Sequence, residues 1–334
     1  MTKPTSVIMS LPGTILDDNI RKIIKHINPV GFILFKRNCE NGVQLNMLVE
    51  ELKTLTCINN PLILIDQEGG RVNRIEWEKY MAPAPRAFGE IYEKDKNLGL
   101  KLAELNGFLL GAQLAAHGIN VNCLPLGDVA FPETDDVIGD RSYSSNPQVV
   151  ADLCGATIKG LIRGGVWPVI KHAPGHGRAT ADSHKELPIV NAKSADLERI
   201  DYIPFKMNRG CPFVMTAHIL YTDIDKHCAT SSLKVMDGIL RQKIGMDGII
   251  MSDDIGMNAL HGSVRERASQ ALHGGCDLVL HCSGELDELS RLAGLPEVSD
   301  VVMAKLDSLP QLGNATRLEM DDVYTELAKH FDIN

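Results

Sequence analysis

The chain has 334 residues, with 34 basic against 43 acidic side chains and a formal net charge of −9. That acidic balance, with no basic run beyond Lys36-Arg37, argues against a nucleic-acid partner, and no apolar stretch approaches the ~18 residues of a membrane span. The apolar segment between Pro4 and Leu11 is too short for a signal core, and the eight cysteines contain no CxxC pair, so buried thiols and a cytoplasmic protein are expected.

In chain order, short apolar runs alternate with polar turns and helical patterns. The runs are VIMSL from Val7, GFILF from Gly31, PLILI from Pro61, GINVN from Gly118, WPVI from Trp167, PFVMT from Pro212, GIIM from Gly248 and DLVL from Asp277. Near-continuous apolar runs suit parallel strands buried on both faces. Between the second and third runs, Leu45, Leu48, Val49, Leu52 and Leu55 have helical spacing. SNPQVV predicts a helix with Asn146 as N-cap and Pro147 at its first position, ending at Gly164-Gly165. Ser263-x-x-Glu266 is a capping box opening a helix that stops at Gly274-Gly275. Pro204 interrupts the helical pattern after Ser194, and Gln67 to Asn97 has no single period. Arg317 to Phe331 reads as a helix on the outside. Eight such runs match a (β/α)8 TIM-type barrel, in the α/β class, over one domain spanning residues 1–334. A doubly wound open sheet stays open as an alternative, although no GxGxxG or GxxxxGK[ST] follows the first runs.

In a barrel, chemistry gathers at the carboxyl ends of the strands. The residues there are Lys36-Arg37, Asp66, Asp128, Lys171-His172, His218, Asp253-Asp254 and His281. In ILIDQEGGRVNR, Asp66 ends a buried run and Gly69-Gly70 permit a sharp turn before Arg71 and Arg74; a structural ion pair in a βα turn would look the same. In GIIMSDDIGM, Asp254 suits a cap for the next helix and Asp253, nearer the strand, suits chemistry. VIKHAPGHGRATADSHKELP holds Lys171, His172, His176, Asp182 and His184 in an irregular loop of a length that is usually functional. Three histidines and an aspartate are a possible zinc set, yet Pro174-Gly175 prevents a helical His172/His176 pair. Asp182, two residues from His184, would fix the imidazole tautomer and tune it as an acid/base, while a solvated polar loop is the plain alternative.

IDQEGGRVNR, GDRSYSSNP, KHAPGHGRATADSHKELP and MSDDIGM, in this order from about Gly31 to Leu280, closely resemble the motifs of the bacterial β-N-acetylglucosaminidases of glycoside hydrolase family 3. The resemblance implies a single barrel and a retaining exo-enzyme that releases terminal β-linked N-acetylglucosamine from peptidoglycan fragments carrying 1,6-anhydro-N-acetylmuramic acid, in cell-wall recycling. It places the nucleophile on Asp253, the acid/base on His184 with Asp182 as its partner, and sugar binding on Asp66, Arg74, Arg141, Lys171 and His172. It implies no cofactor and no metal, a small muropeptide or amino-sugar substrate as partner, and a monomer. Ala173 departs from the aromatic residue of KHFPGHG, and IGM departs from the usual LSM. Three rivals stand beside this reading: a phosphorylase of the same family, a metal-dependent barrel hydrolase and a non-catalytic glycan-sensing module. The 5% aromatic content suits a pocket that grips one sugar through charged groups without a stacking platform.

Overall fold

Apolar runs bounded by turns must bury both faces, and each of the eight does so as a strand. The computed structural model describes residues 3–132, 136–313 and 315–333. The strands are β1 (Thr5–Met9), β2 (Pro29–Leu34), β3 (Leu62–Ile65), β4 (Val121–Asn122), β5 (Trp167–Ala173), β6 (Phe213–Thr216), β7 (Ile249–Asp254) and β8 (Leu278–His281). All pair in parallel with their sequence neighbours, and β1 closes on β8 through Val7↔Val279 and Ile8↔Leu280 to make a closed barrel. The fold is thus an α/β TIM-type barrel, not the open sheet.

Alternation divides the strand residues between two cores. Ile8, Ile33, Leu64, Val121, Val169, Phe213, Met251 and Leu280 pack together inside the barrel. Their neighbours Val7, Phe32, Ile63, Ile170, Val214, Ile250 and Val279 face the surrounding helices. The helices begin where short polar side chains can take their free N–H groups. Asp17 caps α1 (Asp18–Ile27) and Asn41 caps α2 (Gly42–Lys53), while α3 (Pro85–Lys94) opens on proline and α4 (Lys96–Ala116) on Asp95. Asn146 caps α5 (Pro147–Arg163), and Ser263 with Glu266 closes the reciprocal box on α6 (Val264–His273), as the sequence predicts. Gln67 to Asn97 lacks one period because a long loop precedes the consecutive helices α3 and α4.

The segment around Pro204 is interrupted, as the sequence suggests. A short turn at Ser194–Asp196 widens into a π-helical turn over Leu197–Asp201, and Ile203–Met207 restarts with Pro204 in its first turn, where no N–H is required. Helix α7 (Asp300–Ser308) sends Val302 to the interior core near the strand starts. Helix α8 (Arg317–Leu327) ends earlier than Phe331 and lies outside α4, with Tyr324 edge-on to Tyr80 and Phe331 against Phe88.

Candidate active site

At the carboxyl ends of the strands a cavity of about 240 Å³ opens, lined by Asp66, Glu68, Arg74, Arg141, Lys171, His172, His176, His184 and Asp253 among others. Every sequence-predicted substrate-binding residue is in that wall. The turn after β3 builds one side. Gly69 has φ +100°, and a Cβ there would lie 2.4 Å from the Pro83 carbonyl oxygen, so glycine is required for the chain to fold back. This turn sends Asp66 and Glu68 inward as carboxylates and separates the two arginines that follow. Arg71 is structural: its guanidinium collects the carbonyls of Asp136, Val137 and Ile138 and pairs with Asp140 at 3.1 Å. Arg74 stays at the cavity, 3.8 Å from Asp66. The structural ion pair of the motif therefore falls on Arg71, and Arg74 is the arginine left at the cavity wall.

Glu68 is the residue that sequence reasoning missed. Its side chain is fully buried, takes a two-pronged bond from Arg141 at 2.8 Å on each oxygen, and pairs with Lys171 at 2.6 Å. Lys171 also donates to Asp66 at 2.6 Å. Burial works to discharge Lys171, but Asp66 and Glu68 outweigh it and hold the ammonium charged, above its ordinary range. Burial likewise works to protonate Glu68, and Arg141 and Lys171 reverse it, carrying the carboxyl far below its usual range. Asp128, also buried, accepts from His172 Nδ1 at 2.8 Å and from the His176 backbone N–H at 2.6 Å. That bond leaves the Nε2 of His172 as the free ring nitrogen at the cavity. The sequence places Asp128 at a strand end, but its partner stands 44 residues away, and no local pattern links them.

Asp253, at the end of β7, is 8% exposed and its Oδ1 accepts the Asp254 N–H at 2.8 Å. No other described residue bonds its Oδ2. Burial would raise this carboxyl, but His172, His218, the Asp254 amide and Lys171 outweigh burial and hold it below its usual value of 3.8. Asp254 does not cap the next helix, which starts on Ser263. Its Oδ1 accepts the N–H groups of Gly256 and Cys282 at 2.9 Å each, tying the turn after β7 to the end of β8.

His184 reaches the same cavity from the long loop after β5, with 62% of its side chain exposed. Its Nδ1 meets Asp182 Oδ1 at 2.7 Å, and the same oxygen accepts the His184 N–H at 2.9 Å, so Asp182 stands behind the ring without lining the cavity. Burial opposes ionisation of Asp182, yet its bonds from His184 hold it below the ordinary range. The start of the loop is fixed: a Cβ on Gly177 would lie 1.7 Å from the Val129 carbonyl oxygen, and Arg178 binds Asp201 at 2.7 Å while stacking on Phe131. Between Asp182 and His184, Ser183 turns inward, its carbonyl accepting from Ala259 and its hydroxyl facing Met257 beyond the Asp253 strand.

Two details differ from the sequence reading. Phe35 lines the cavity with Arg37 and Arg74 over its ring, so one aromatic side chain does stand at the site. Ala173 is fully buried in the outer core, clear of the cavity, so its small size concerns packing behind β5. Among the described residues, no three His, Cys, Asp or Glu side chains converge as metal ligands.

Comparison with known proteins places the chain in a family. The family described as "Glycosyl hydrolase family 3 N terminal domain" matches residues 8–311. The β-hexosaminidase of Nitrosomonas eutropha is 39% identical over 311 residues, 91% of this chain and 88% of that protein. The β-hexosaminidase of Chromobacterium violaceum is 37% identical over 317 residues, 94% of this chain and 85% of that one. Among solved structures, NagZ from Neisseria gonorrhoeae in complex with N-trifluoroacetyl-D-glucosamine superposes with a TM-score of 0.89 at 31% identity, covering 98% of both chains. The chain therefore belongs to glycosyl hydrolase family 3, as a β-hexosaminidase of that family.

Proposed function

We propose that the enzyme is a retaining exo-β-N-acetylglucosaminidase that removes terminal β-linked N-acetylglucosamine from peptidoglycan fragments ending in 1,6-anhydro-N-acetylmuramic acid, with or without peptide. The observation that carries the reading is one cavity holding a free carboxylate oxygen on Asp253, a carboxylate-backed imidazole on His184, and a fixed lattice of Lys171, Arg141, Arg74 and Asp66. The gonococcal neighbour holds an N-acylated glucosamine, and we read the cavity here for the same class of sugar. Its volume suits one terminal residue rather than a length of polymer.

In this mechanism Asp253 Oδ2 forms a bond to the anomeric carbon as the glycosidic C–O bond breaks, and His184 Nε2 delivers its proton to the leaving oxygen. His184 then takes a proton from water as the water oxygen replaces Asp253 on that carbon, and the sugar leaves with retained configuration. Asp182 fixes the ring so that Nε2 faces the reacting atoms in both steps. Lys171, Arg141, Arg74, Asp66 and His172 bind the hydroxyls and N-acetyl carbonyl of the sugar by charge-assisted bonds, which count for catalysis where they tighten in the transition state. The chemistry calls for no metal or cofactor. We place the enzyme in the cytoplasm as a single-domain monomer; its eight unpaired thiols suit a reducing compartment.

Asp253→Ala is expected to leave at most a few per cent of turnover on an aryl N-acetylglucosaminide. His184→Ala is expected to lose roughly 10²–10⁴-fold on poor leaving groups and far less on activated ones. Equal loss across leaving groups, or an active Asp253→Ala, would remove the reading. Mass spectrometry of a digested muropeptide mixture should show terminal N-acetylglucosamine released and the anhydro-sugar fragment retained.

A further inference from the structure

His176 is the histidine of KHAPGHGRATADSH that this mechanism leaves without a task. Its backbone N–H is fixed on Asp128 at 2.6 Å, and its ring stands edge-on to His172 with centroids 5.6 Å apart. The side chain is 3% exposed, yet it lines the cavity beside Asp253. Its Nδ1 is buried with no hydrogen-bond partner. A buried N–H without a partner is costlier than a lone pair without one, so the proton belongs on Nε2, the nitrogen left for the cavity. The groups facing the ring are His172, Asp128 and Asp253. Burial, reinforced by His172, pushes the imidazole down to about 4, so it is neutral at working pH.

We propose that His176 is an uncharged hydrogen-bond donor of the sugar pocket, presenting Nε2–H to one hydroxyl oxygen of the bound aminosugar. The inference rests on the glycosidase reading and adds a binding residue to it. The neutral state is the functional point. A second cation beside Asp253 would pair with the nucleophile and blunt it, whereas a neutral donor binds oxygen while leaving the carboxylate charge free. It also divides the labour of the two neighbouring rings. His172 is tied to a carboxylate through Nδ1, and His176 is tied only through its backbone.

The test compares His176→Phe, which fills the volume without a donor, with His176→Gln, whose amide nitrogen can reach the Nε2 position. Aryl N-acetylglucosaminide and its monodeoxy analogues serve as substrates. We expect kcat/KM of His176→Phe to fall roughly 10- to 100-fold on the parent glycoside, with His176→Gln recovering most of the loss. The penalty should disappear on the one analogue lacking the hydroxyl that His176 serves, and the pH profile between 5 and 8 should keep its wild-type shape. Should phenylalanine prevent folding, His176→Asn, which withdraws the donor from Nε2, makes the same comparison. Wild-type activity in His176→Phe, an equal penalty on every analogue, or a lost limb of the pH profile would overturn the proposal while leaving the glycosidase intact. A wild-type enzyme inert on the parent glycoside would instead overturn the glycosidase reading on which the proposal stands.

Discussion

Glu68 pairs with two cations of the cavity wall. It touches Arg141 and Lys171 from inside the protein, raising the guanidinium further and joining Asp66 in holding the buried ammonium charged. Removing one member of a buried ionic group leaves the others uncompensated, which commonly costs ~3–5 kcal/mol. Glu68→Gln keeps the shape but halves the pairing, so we expect a lower thermal midpoint and a kcat/KM reduced at least ~30-fold, with KM raised more than kcat is lowered. Steady-state kinetics on the aryl glycoside check this, and an unchanged KM would refute it. The same residue marks the limit of what the sequence revealed. Asp66, Lys171, His172 and Asp253 were visible as polar side chains ending apolar runs. Glu68 lies in the DQEGGRVNR motif, but its meaning depends on Arg141, 73 residues on, and only the fold of the barrel brings them together. Arg71 and Arg74 show the converse: three residues apart in the motif and alike in chemistry, they face different neighbours, Arg71 the loop at Asp136 to Asp140 and Arg74 the cavity.

At the scale of elements, the capped helices and apolar strands were legible because their signals are local. Asn146 accepts the Gln148 N–H at 2.9 Å in front of Pro147, and Ser263 and Glu266 exchange bonds across one turn. Replacing Asn146 by Ala removes a side-chain acceptor at the head of α5, and we expect a loss of about 1 kcal/mol in stability by chemical denaturation, with KM unchanged. The irregular pieces were harder to read for a physical reason. β4 has only two paired residues, and the long loop after β5 takes its shape from Arg178 on Asp201, Gly177 on Val129, and Ser183 on Ala259. These are contacts with three different segments, and no periodicity encodes them. The interruption signalled by Pro204 was legible, but the wide turn ahead of it, which lets the proline sit in a fresh first turn, was not.

At the scale of the whole molecule, buried carboxylates set the response to pH. Most are held below their ordinary range by partners, but Asp201 is pushed up to about 6, because burial outweighs its bond from Arg178. A carboxyl raised in the folded state contributes stability that is fully present below its unfolded value of 3.8 and is lost as pH rises through about 6. The magnitude is at most about 3 kcal/mol at this shift. Going from pH 4.5 to pH 7.5, the thermal midpoint of Asp201→Asn should therefore shift upward relative to the shift of the wild type; an identical shift in the two proteins would reject the assignment. Net charge and composition gave no hint of this group, since its environment is made by helix, loop and turn together.

The pairing of β1 with β8 also bears on how the enzyme is made. Val7 and Val279 are neighbours in the sheet yet lie at opposite ends of the chain, so as the polypeptide leaves the ribosome the first strand waits with one edge unpaired. Asp66, Arg141 and Lys171 emerge well before Asp253, and the ring cannot shut until β8 follows. A chain stalled before that point would carry Asp66, Arg141 and Lys171 without a closed wall to hold them in register. The closed wall of this architecture therefore depends on the last strand pairing with the first.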